Sequence, residues 1–416
     1  MFIKLSMRLL LFFFFLMIIF PTLYQIERGI LLMILLLISV RKARQFSADK
    51  ELSLIWITTF FTSSFFIAKG LILNTPGALN LSTVYIIWPL LYWYFIGICS
   101  HLEILNQLNK MIIIGGLVVL WLNIILLLNE GHLHISLLSE LASSMGYFYG
   151  FYDGMIEFNS PTLTLAPYVF IFSLTLLLTK GYNVLHLNRV IVSGLIVLSA
   201  IVVFLSARRA FWIIILLAPF VVCVFLKIAK VTVNFLNILT KTVIVYCLLI
   251  GLSFYFVFDY NTIKDEFMSS FEFTERESNN ERRLQLNALI EEWEKSPILG
   301  HGLGSYSTQC IRTADRPWEY ELSYVSLLSQ VGLGGVLIYL FSVLWVFKKA
   351  ICLVRRNPQY ACFIMPGIIS LFGFLLINIS NPYLLKFDYL WVLYLPIFSL
   401  NCLSKHSMRN MNFIIY

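Results

Sequence analysis

Residues 280–304 read NERRLQLNALIEEWEKSPILGHGLG, the one long polar passage in a chain that is otherwise mostly apolar. Apolar side chains recur in it at the spacing of one helix face, at Leu286, Leu289, Ile290 and Trp293. Arg282 and Arg283 extend that face by one turn, so the predicted helix can lie on a bilayer surface and hold anionic headgroups. Pro297 predicts the end of this helix, because proline has no amide donor and clashes with the preceding turn.

A glycine-rich loop is predicted directly after the helix, with the sequence Gly300-His301-Gly302-Leu303-Gly304. Glycine has no Cβ, so the backbone amides of such a loop can approach a ligand closely. We therefore expect Gly300, His301 and Gly302 to contribute to a binding site. A purely structural role for the histidine is the alternative.

The apolar flanks of this stretch decide the fold class. The chain has 416 residues, of which 59% are hydrophobic and 12% charged, and its mean hydropathy is +0.84. That leaves too little polar surface for a soluble globule and predicts an all-α polytopic integral membrane protein. About twelve apolar runs approach the roughly 20 residues that a helix needs to cross the hydrocarbon. They cover residues 9–24, 29–40, 52–68, 83–100, 111–128, 162–179, 190–206, 210–226, 242–258, 322–347, 361–378 and 389–404.

The charged residues are sorted by side of the membrane. With a cytoplasmic N-terminus, the inner loops hold most of the Lys and Arg, whereas the outer segments hold most of the acids. The positive-inside rule then predicts that both termini are cytoplasmic, and the net charge of +8 needs no nucleic-acid partner. The chain divides into residues 1–258, with helices 1 to 9 and an outer loop at 129–161, a large extracytoplasmic loop at 259–320, and residues 321–416, with helices 10 to 12.

An apolar hairpin in the first part carries two arginines at its turn. Its arms, 190–206 and 210–226, are joined only by Ala207-Arg208-Arg209. An arginine at membrane depth is costly unless it faces a cavity or an anion, so Arg208 and Arg209 are candidate functional residues. Snorkelling of their side chains to the interface is the alternative.

The outer loop at 129–161 contains an aromatic and glycine-rich run, MGYFYGFYDGMIEFNSP at 145–161. Its aromatic rings beside Asp153, Glu157 and Asn159 would suit a sugar. Its glycines, four residues apart, would also let a short helix pack closely against a neighbour, and this packing role is the one we expect.

The turn into the tenth span concentrates polar side chains, at Glu319, Tyr320, Glu321 and Tyr324. Two carboxylates at the mouth of an apolar helix are candidates for proton transfer. The alternative is a favourable interaction with the positive end of that helix. Asn381, in the last outer turn, is assigned to the same external cavity, and the glycines at 332–335 are expected to ease close helix packing.

At these residues the chain resembles the O-antigen polymerase and ligase superfamily of bacterial integral membrane glycosyltransferases. LSARRAFW at 205–212 resembles the family's Ser-Arg hairpin, and ERRLQLNALIEEWEKSPILGHGLGSY at 281–306 resembles its Arg-then-PLLGxGLGSF loop. YELSYVSLLSQVGLGGVLIYL at 320–340 is similar to the HNxYLxLLxExGLLG span, and SNPYL at 380–384 to a late outer turn of polymerases. Glu321 and Leu322 stand where the ligase pattern has histidine and asparagine, which favours a polymerase.

The resemblance implies a GT-C-like fold and a polysaccharide polymerase whose active site faces the outside of the bacterial plasma membrane. Its substrates would be oligosaccharide repeat units on polyprenyl diphosphate, held among membrane lipids, with flippase and chain-length regulator proteins as further partners. Arg208 or Arg209, together with Arg282 or Arg283, would stabilise the departing diphosphate electrostatically.

The implied reaction also needs a proton acceptor, because a sugar hydroxyl attacks the anomeric carbon. Glu321 is the first candidate for this general base and Glu319 the second, with His301 assisting. Neither the seven cysteines nor the acids show metal-ligand spacing, so no metal and no cofactor are expected.

Three other functions remain open. A ligase would transfer the finished glycan to another acceptor. A flippase or transporter of lipid-linked sugars would carry charged residues along spans on both sides of the membrane, whereas the conspicuous ones here gather outside. A non-catalytic subunit of a polysaccharide-export complex is the third.

Overall fold

The computed structural model describes residues 2–152, 155–206, 208–232 and 277–414. Its helices are α1 (Phe2–Ile19), α2 (Gln25–Ser39), α3 (Lys50–Ile72), α4 (Ala78–Ser82), α5 (Trp88–Cys99), α6 (Leu102–Leu128), α7 (Ser136–Ser144), α8 (Leu165–Leu178), α9 (Gly181–Val184), α10 (Arg189–Leu205), α11 (Arg209–Ile228), α12 (Glu277–Lys295), α13 (Ser323–Arg356), α14 (Ala361–Ile377) and α15 (Trp391–Ile414). Two strands, β1 (Phe148–Tyr152) and β2 (Met155–Asn159), form one antiparallel pair. The predicted all-α class is confirmed.

Seven helices of the described part are long and apolar enough to cross a membrane. They are Lys50–Ile72, Ala78–Cys99, Leu102–Leu128, Arg209–Ile228, Ser323–Arg356, Pro358–Ile377 and Phe387–Lys405. Shorter apolar helices cover Met7–Ile19, Leu165–Leu178 and Arg189–Leu205. The chain is therefore a polytopic membrane protein, whereas the count of twelve spans stays a prediction. The predicted ninth span, 242–258, and the start of the large loop, 259–276, lie outside the described residues.

The chain forms two compact units. The first unit comprises Met1–Arg44, His101–Glu272 and Ile351–Phe374. Within it α8 packs against α6, α10 and α11, and α1 packs against α2 and α6. The backbones of α6 and α8 approach closely because Gly116 has no side chain, and a Cβ there would lie 2.8 Å from the Val169 side chain.

A buried polar cluster joins α6 to the segment before α8 in the first unit. Asn123 is 2% exposed. Its Nδ2 donates to Thr162 Oγ1 at 3.2 Å, and Ser160 Oγ donates to its Oδ1 at 2.7 Å. These bonds satisfy polar groups that would be costly to bury alone, so residues 158–165 dock onto α6.

Residues 148–152 and 155–159 of the aromatic run form an antiparallel pair of strands and not a helix. Phe148 pairs with Asn159 and Tyr152 with Met155, so the expected short helix packed through its glycines is wrong. Asp-Gly between two runs rich in aromatic and apolar residues is a hairpin signal, because aromatic residues favour strands and Asp and Gly tolerate the positive φ angles of tight turns. Asp153 and Gly154 themselves lie outside the described residues, and the sugar-binding role of this run stays a prediction.

The second unit comprises Gln45–Ser100, Phe273–Ala350 and Leu375–Tyr416. Its apolar core joins α3, α4 and α13 to the segment after α12, through Phe66, Ile67, Leu81, Leu303, Trp318, Val331 and Leu385. Ring stacking joins α5 to α15, where the centroids of Tyr92 and Tyr394 are 4.7 Å apart. The segment after α12 therefore packs into the core of this unit through Leu303 and Trp318.

An ion-pair cluster ties α3 to α13 at one end of the second unit. Lys349 Nζ donates to Asp49 Oδ1 at 2.7 Å and to Glu51 Oε2 at 2.9 Å. Asp49 also caps α3, since its carboxylate accepts from the amides of Glu51 and Leu52. The cluster fixes the register of the two helices along their length.

Candidate functional site

The helix predicted from residues 280–304 is α12, and it ends at Lys295, two residues before Pro297, as expected. Its packed side consists of Gln285, Ala288 and Leu289, which are at most 4% exposed. Leu286, predicted to lie on the apolar face, is 41% exposed. The buried face of α12 is therefore narrower than the apolar face predicted from the sequence.

Glu321 joins two arginines from different segments of the second unit. Arg282 Nε donates to its Oε2 at 2.8 Å, and Arg312 Nη2 donates to its Oε1 at 2.8 Å. The glutamate side chain is 20% exposed, against 41% for Arg282 and 39% for Arg312. Two guanidinium groups and one carboxylate leave this triad with one net positive charge, so it can attract an anion.

Gln285 holds the backbone at Glu321 in place. Its Oε1 accepts from the Glu321 amide at 3.1 Å, and the residue is 2% exposed. Since Gln285 lies on α12 one turn after Arg282, one helix face holds both the backbone and the side chain of Glu321. The geometry of the triad is therefore set by buried contacts, although its charges reach solvent.

Glu319 belongs to a separate ion pair. Arg316 Nη1 donates to its Oε1 at 3.1 Å, with side-chain exposures of 58% for Arg316 and 17% for Glu319. The two residues are also linked by a turn, in which the Glu319 amide donates to the Arg316 carbonyl. Glu319 therefore does not share the arginines of Glu321.

Tyr320 is a core residue between the two glutamates. It is fully buried, and its hydroxyl accepts from the Ser307 amide at 2.9 Å and lies 3.0 Å from the Cys310 carbonyl, to which it can donate. Burial raises its pKa to about 12. Tyr320 thus anchors the segment that carries Arg312, and its contact with a glycan stays a prediction.

The glycine loop inserts into an interruption of α13 at Gly332, whose φ of 64° and ψ of −179° are not helical. The amides of His301 and Gly302 donate to the carbonyls of Ser329 and Gln330, at 3.1 and 2.8 Å. In return the amides of Leu333 and Gly334 donate to the carbonyls at 297 and 298. The loop thereby satisfies backbone groups that the interrupted helix leaves without partners.

These bonds correct two expectations. The amides of His301 and Gly302 do not stand open to a ligand, since both donate to carbonyls of α13. Gly332 does more than ease packing, because it breaks the helix. A Cβ on Gly300 would lie 2.3 Å from the Gln330 carbonyl oxygen, so glycine is needed there for the close approach of two backbones. A glycan contact by Gly300 or Gly302 stays a prediction.

His301 has a structural contact. Its Nε2 lies 2.7 Å from the Glu292 carbonyl, which can only accept, so Nε2 carries the proton. The ring therefore fastens the loop to the end of α12.

Two other candidates stand near the start of α13 and in the late turn. Tyr324 Oη donates to the Leu375 carbonyl at 2.6 Å. Asn381 Nδ2 donates to the Ile377 carbonyl at 3.3 Å and to Ser380 Oγ at 3.1 Å. Ser323 Oγ donates to the Asn378 carbonyl, so the late turn is attached to the first residue of α13.

The remaining arginines differ in their surroundings. Arg283 is exposed and makes no ion pair or hydrogen bond with residues that the structure describes. Arg208 and Arg209 are half-buried residues of the first unit, at the N-cap and the first position of α11. Their hairpin is held by Trp212, whose Nε1 donates to the Val203 carbonyl at 3.1 Å.

Among the described residues, no group of three or more His, Cys, Asp or Glu side chains could hold a metal ion.

Comparison with known families agrees with the motifs. Residues 194–340 match the family model described as O-antigen ligase. This match supports the resemblance to the O-antigen polymerase and ligase superfamily. The matched range contains the hairpin arginines, α12, the glycine loop and the Arg282–Glu321–Arg312 triad. Comparison with curated proteins gives no match.

The sequence alone did not single out Arg312, Gln285 or Gln330. Gln330 is 1% exposed, and its side chain donates to the Ser305 carbonyl at 3.1 Å. A glutamine within an apolar span indicates a side chain that holds a neighbouring segment by hydrogen bonds, because a buried amide needs partners. Arg312 had no comparable signal, since its partner is fixed only by the folded path of the loop.

Proposed function

We propose that the protein is a polysaccharide polymerase of the bacterial plasma membrane. It would transfer a glycan from polyprenyl diphosphate to a lipid-linked repeat unit on the outer face, with both termini in the cytoplasm. The observation that carries the proposal is the Glu321 carboxylate shared by Arg282 and Arg312, at 2.8 Å from each. A fixed pair of guanidinium groups suits a diphosphate, which gains negative charge as it leaves.

The reaction forms one bond and breaks one. The acceptor hydroxyl oxygen bonds to the anomeric carbon, and the bond from that carbon to the phosphate oxygen breaks, with its electron pair going to the diphosphate. Arg282 and Arg312 would stabilise this charge, with Arg283 on the same helix as a further diphosphate ligand. A role for Arg208 and Arg209 in diphosphate binding stays a prediction from the sequence.

The hydroxyl proton needs an acceptor. Glu321 remains the first candidate, because a carboxylate has about four lone-pair sites and its bonds to Arg282 and Arg312 leave acceptor capacity. Glu319 is the second candidate. The same arginine bonds also give Glu321 a positioning role toward Arg282 and Arg312.

A ligase is the second candidate function, because the matching family model is described as O-antigen ligase. A deletion strain separates the two. Loss of a polymerase leaves single repeat units, whereas loss of a ligase leaves long chains on the lipid carrier.

The direct test gives purified protein a defined lipid-linked repeat unit and sizes the products on a gel. We expect a ladder of chain lengths from the wild type and none from Arg282→Ala. Glu291→Gln is a matched control, because it changes a charge on the same helix at an exposed contact with Gln309. Absence of a ladder from the wild type, combined with transfer to a different acceptor, would favour the ligase.

A further inference from the structure

We infer that residues 297–304 form a re-entrant loop whose apolar tip, Ile298 and Leu299, contacts the acyl chains of the bilayer. The loop bonds to α13 and α3, two helices that are long and apolar enough to span the membrane. Its level in the bilayer therefore follows from the levels of its partners on those helices. This inference rests on the membrane-spanning helices and not on the polymerase reaction.

The ion pairs of Lys349 with Asp49 and Glu51 provide one reference level from which heights along α3 and α13 can be measured. Glu51, which pairs with Lys349, is 60% exposed, and Lys348 and Lys50 are exposed beside it. Exposed charges are costly in hydrocarbon. This level of α3 and α13 therefore lies at or outside one hydrocarbon boundary.

The loop meets α13 and α3 between about 22 and 28 Å from the level of Lys349 and Glu51, since it also adjoins Gly70, where a Cβ would lie 2.4 Å from the Leu303 carbonyl oxygen. On α13, the carbonyl of Ile298 accepts from the Gly334 amide at 3.0 Å, and the helical rise from Lys349 to Gly334 is about 22 Å. On α3, the Leu303 amide donates to the Phe66 carbonyl at 3.0 Å, and the rise from Glu51 to Phe66 is also about 22 Å.

That height lies inside the membrane. A hydrocarbon core is about 30 Å thick, so the tip lies at least about 8 Å below the opposite boundary. Ile298 is 68% exposed and Leu299 48%, and on the neighbouring helix Leu333 and Leu337 are 48% and 52% exposed. Apolar side chains that are exposed at this depth fit acyl chains.

The backbone of the loop meets the requirement for such a location, because irregular backbone within a bilayer must find its partners in the protein. Four bonds join it to α13, as described above. Lys69 Nζ donates to the carbonyls of Leu299 and Gly300 at 3.2 and 2.6 Å, and Thr75 Oγ1 donates to the Leu303 carbonyl at 3.0 Å.

The loop also sets the height of the arginine triad. Glu321 lies two residues before Ser323, the first residue of α13, and the interruption at Gly332 separates it from the level of Lys349. A rigid loop fixed in the hydrocarbon therefore holds α12, and with it Arg282, at a fixed height.

Nitroxide labels on single cysteines test the location in lipid bilayers. The native cysteines are replaced by alanine, and labels are placed at 298 and 299, at 337 as the lipid reference, and at 311 as the control. Ile311 is 50% exposed and adjoins Arg312, so it matches the exposure of the tip at the level of the triad. We expect the ratio of oxygen to nickel-chelate accessibility at 298 and 299 to be high, as at 337, and that at 311 to be low. Equal ratios at 298, 299 and 311 would overturn the inference.

A pair of substitutions in the chain with its native cysteines provides a second measurement. Ile298→Asp places a carboxylate in the hydrocarbon and should lower the melting temperature in bilayers, whereas Ile311→Asp should leave it unchanged. Unchanged melting of Ile298→Asp would contradict the location. Absence of polymer synthesis together with the expected accessibility ratios would contradict the proposed function alone and would leave the location of the loop supported.

Discussion

The Nε atom of Arg282 lies 2.8 Å from Oε2 of Glu321, and the two residues are 39 positions apart in the chain. The bond joins α12 to the entrance of α13, and Arg312 completes the contact from the segment between them. The triad therefore assembles only when the whole stretch from α12 to α13 is folded.

Replacing the shared carboxylate should stop chain extension. Glu321→Gln keeps the size of the side chain but replaces one acceptor oxygen with an amide donor, so the residue can no longer hold both guanidinium groups. We expect single repeat units in place of a product ladder from the purified variant. The Glu291→Gln control should give the normal ladder, and a normal ladder from Glu321→Gln would contradict both roles assigned to this glutamate.

Arg283 should affect extension without affecting stability. Its side chain is exposed and makes no ion pair with a described residue, so Arg283→Ala removes no packing contact. We expect lost extension with an unchanged melting temperature. Lys295→Ala, at an exposed position on the same helix, is the control and should change neither. Normal extension by Arg283→Ala would remove this residue from the diphosphate site.

Local parts of this region could be predicted from the sequence. Helical periodicity and Pro297 correctly predicted α12 and its end, because both signals act within a few residues. The pairing of Arg282 with Glu321 could not be predicted in this way, since it depends on the path of the intervening chain.

Glycine was the main source of error. The cluster at 332–335 fits close helix packing equally well, and only the left-handed φ of Gly332 reveals an interruption. Likewise the glycines at 146, 150 and 154 were compatible with a packed helix. The aromatic residues on both sides of Asp153-Gly154 were the better signal, because aromatic residues favour strands and Asp-Gly favours a tight turn.

Tyr320 should make stability depend on pH in the alkaline range. Burial raises its pKa from 10.0 to about 12, so above pH 10 the unfolded phenol loses its proton before the folded one does. The contribution of the neutral phenol is complete below pH 10 and declines as the pH rises through 12. We expect melting temperatures of the wild type and Tyr320→Phe in detergent to differ below pH 10 and to converge above it. A constant difference from pH 9 to 12 would show that this phenol does not titrate as described.

Lys349 should be needed to neutralise Asp49. The lysine side chain is 12% exposed and that of Asp49 5%, and removing one partner of a buried ion pair costs about 3 kcal/mol or more. Lys349→Met should therefore lower the free energy of unfolding by about this amount. The double variant Lys349→Met and Asp49→Asn should recover much of the loss, because asparagine removes the charge but can still cap α3. If the free energy lost in the double variant equals the sum of the losses in Lys349→Met and Asp49→Asn, the two side chains are not coupled.

Gly332 should tolerate no side chain. Its φ of 64° and ψ of −179° lie in a region reserved for glycine, where another residue costs about 1–3 kcal/mol. An alanine Cβ would also lie 2.3 Å from the Ile298 carbonyl oxygen, so the loop would have to leave the interruption in α13. We expect Gly332→Ala to lower the melting temperature and to abolish extension together, because the loop is continuous with the helix that carries Arg282.

Gly194→Ala is the control for Gly332→Ala, because it makes the same substitution at a position where it should raise the melting temperature. A Cβ at Gly194 meets nothing within 4 Å, and alanine stabilises a helix by roughly 0.5–1 kcal/mol over glycine. Wild-type melting of Gly332→Ala would mean that the loop does not depend on this interruption.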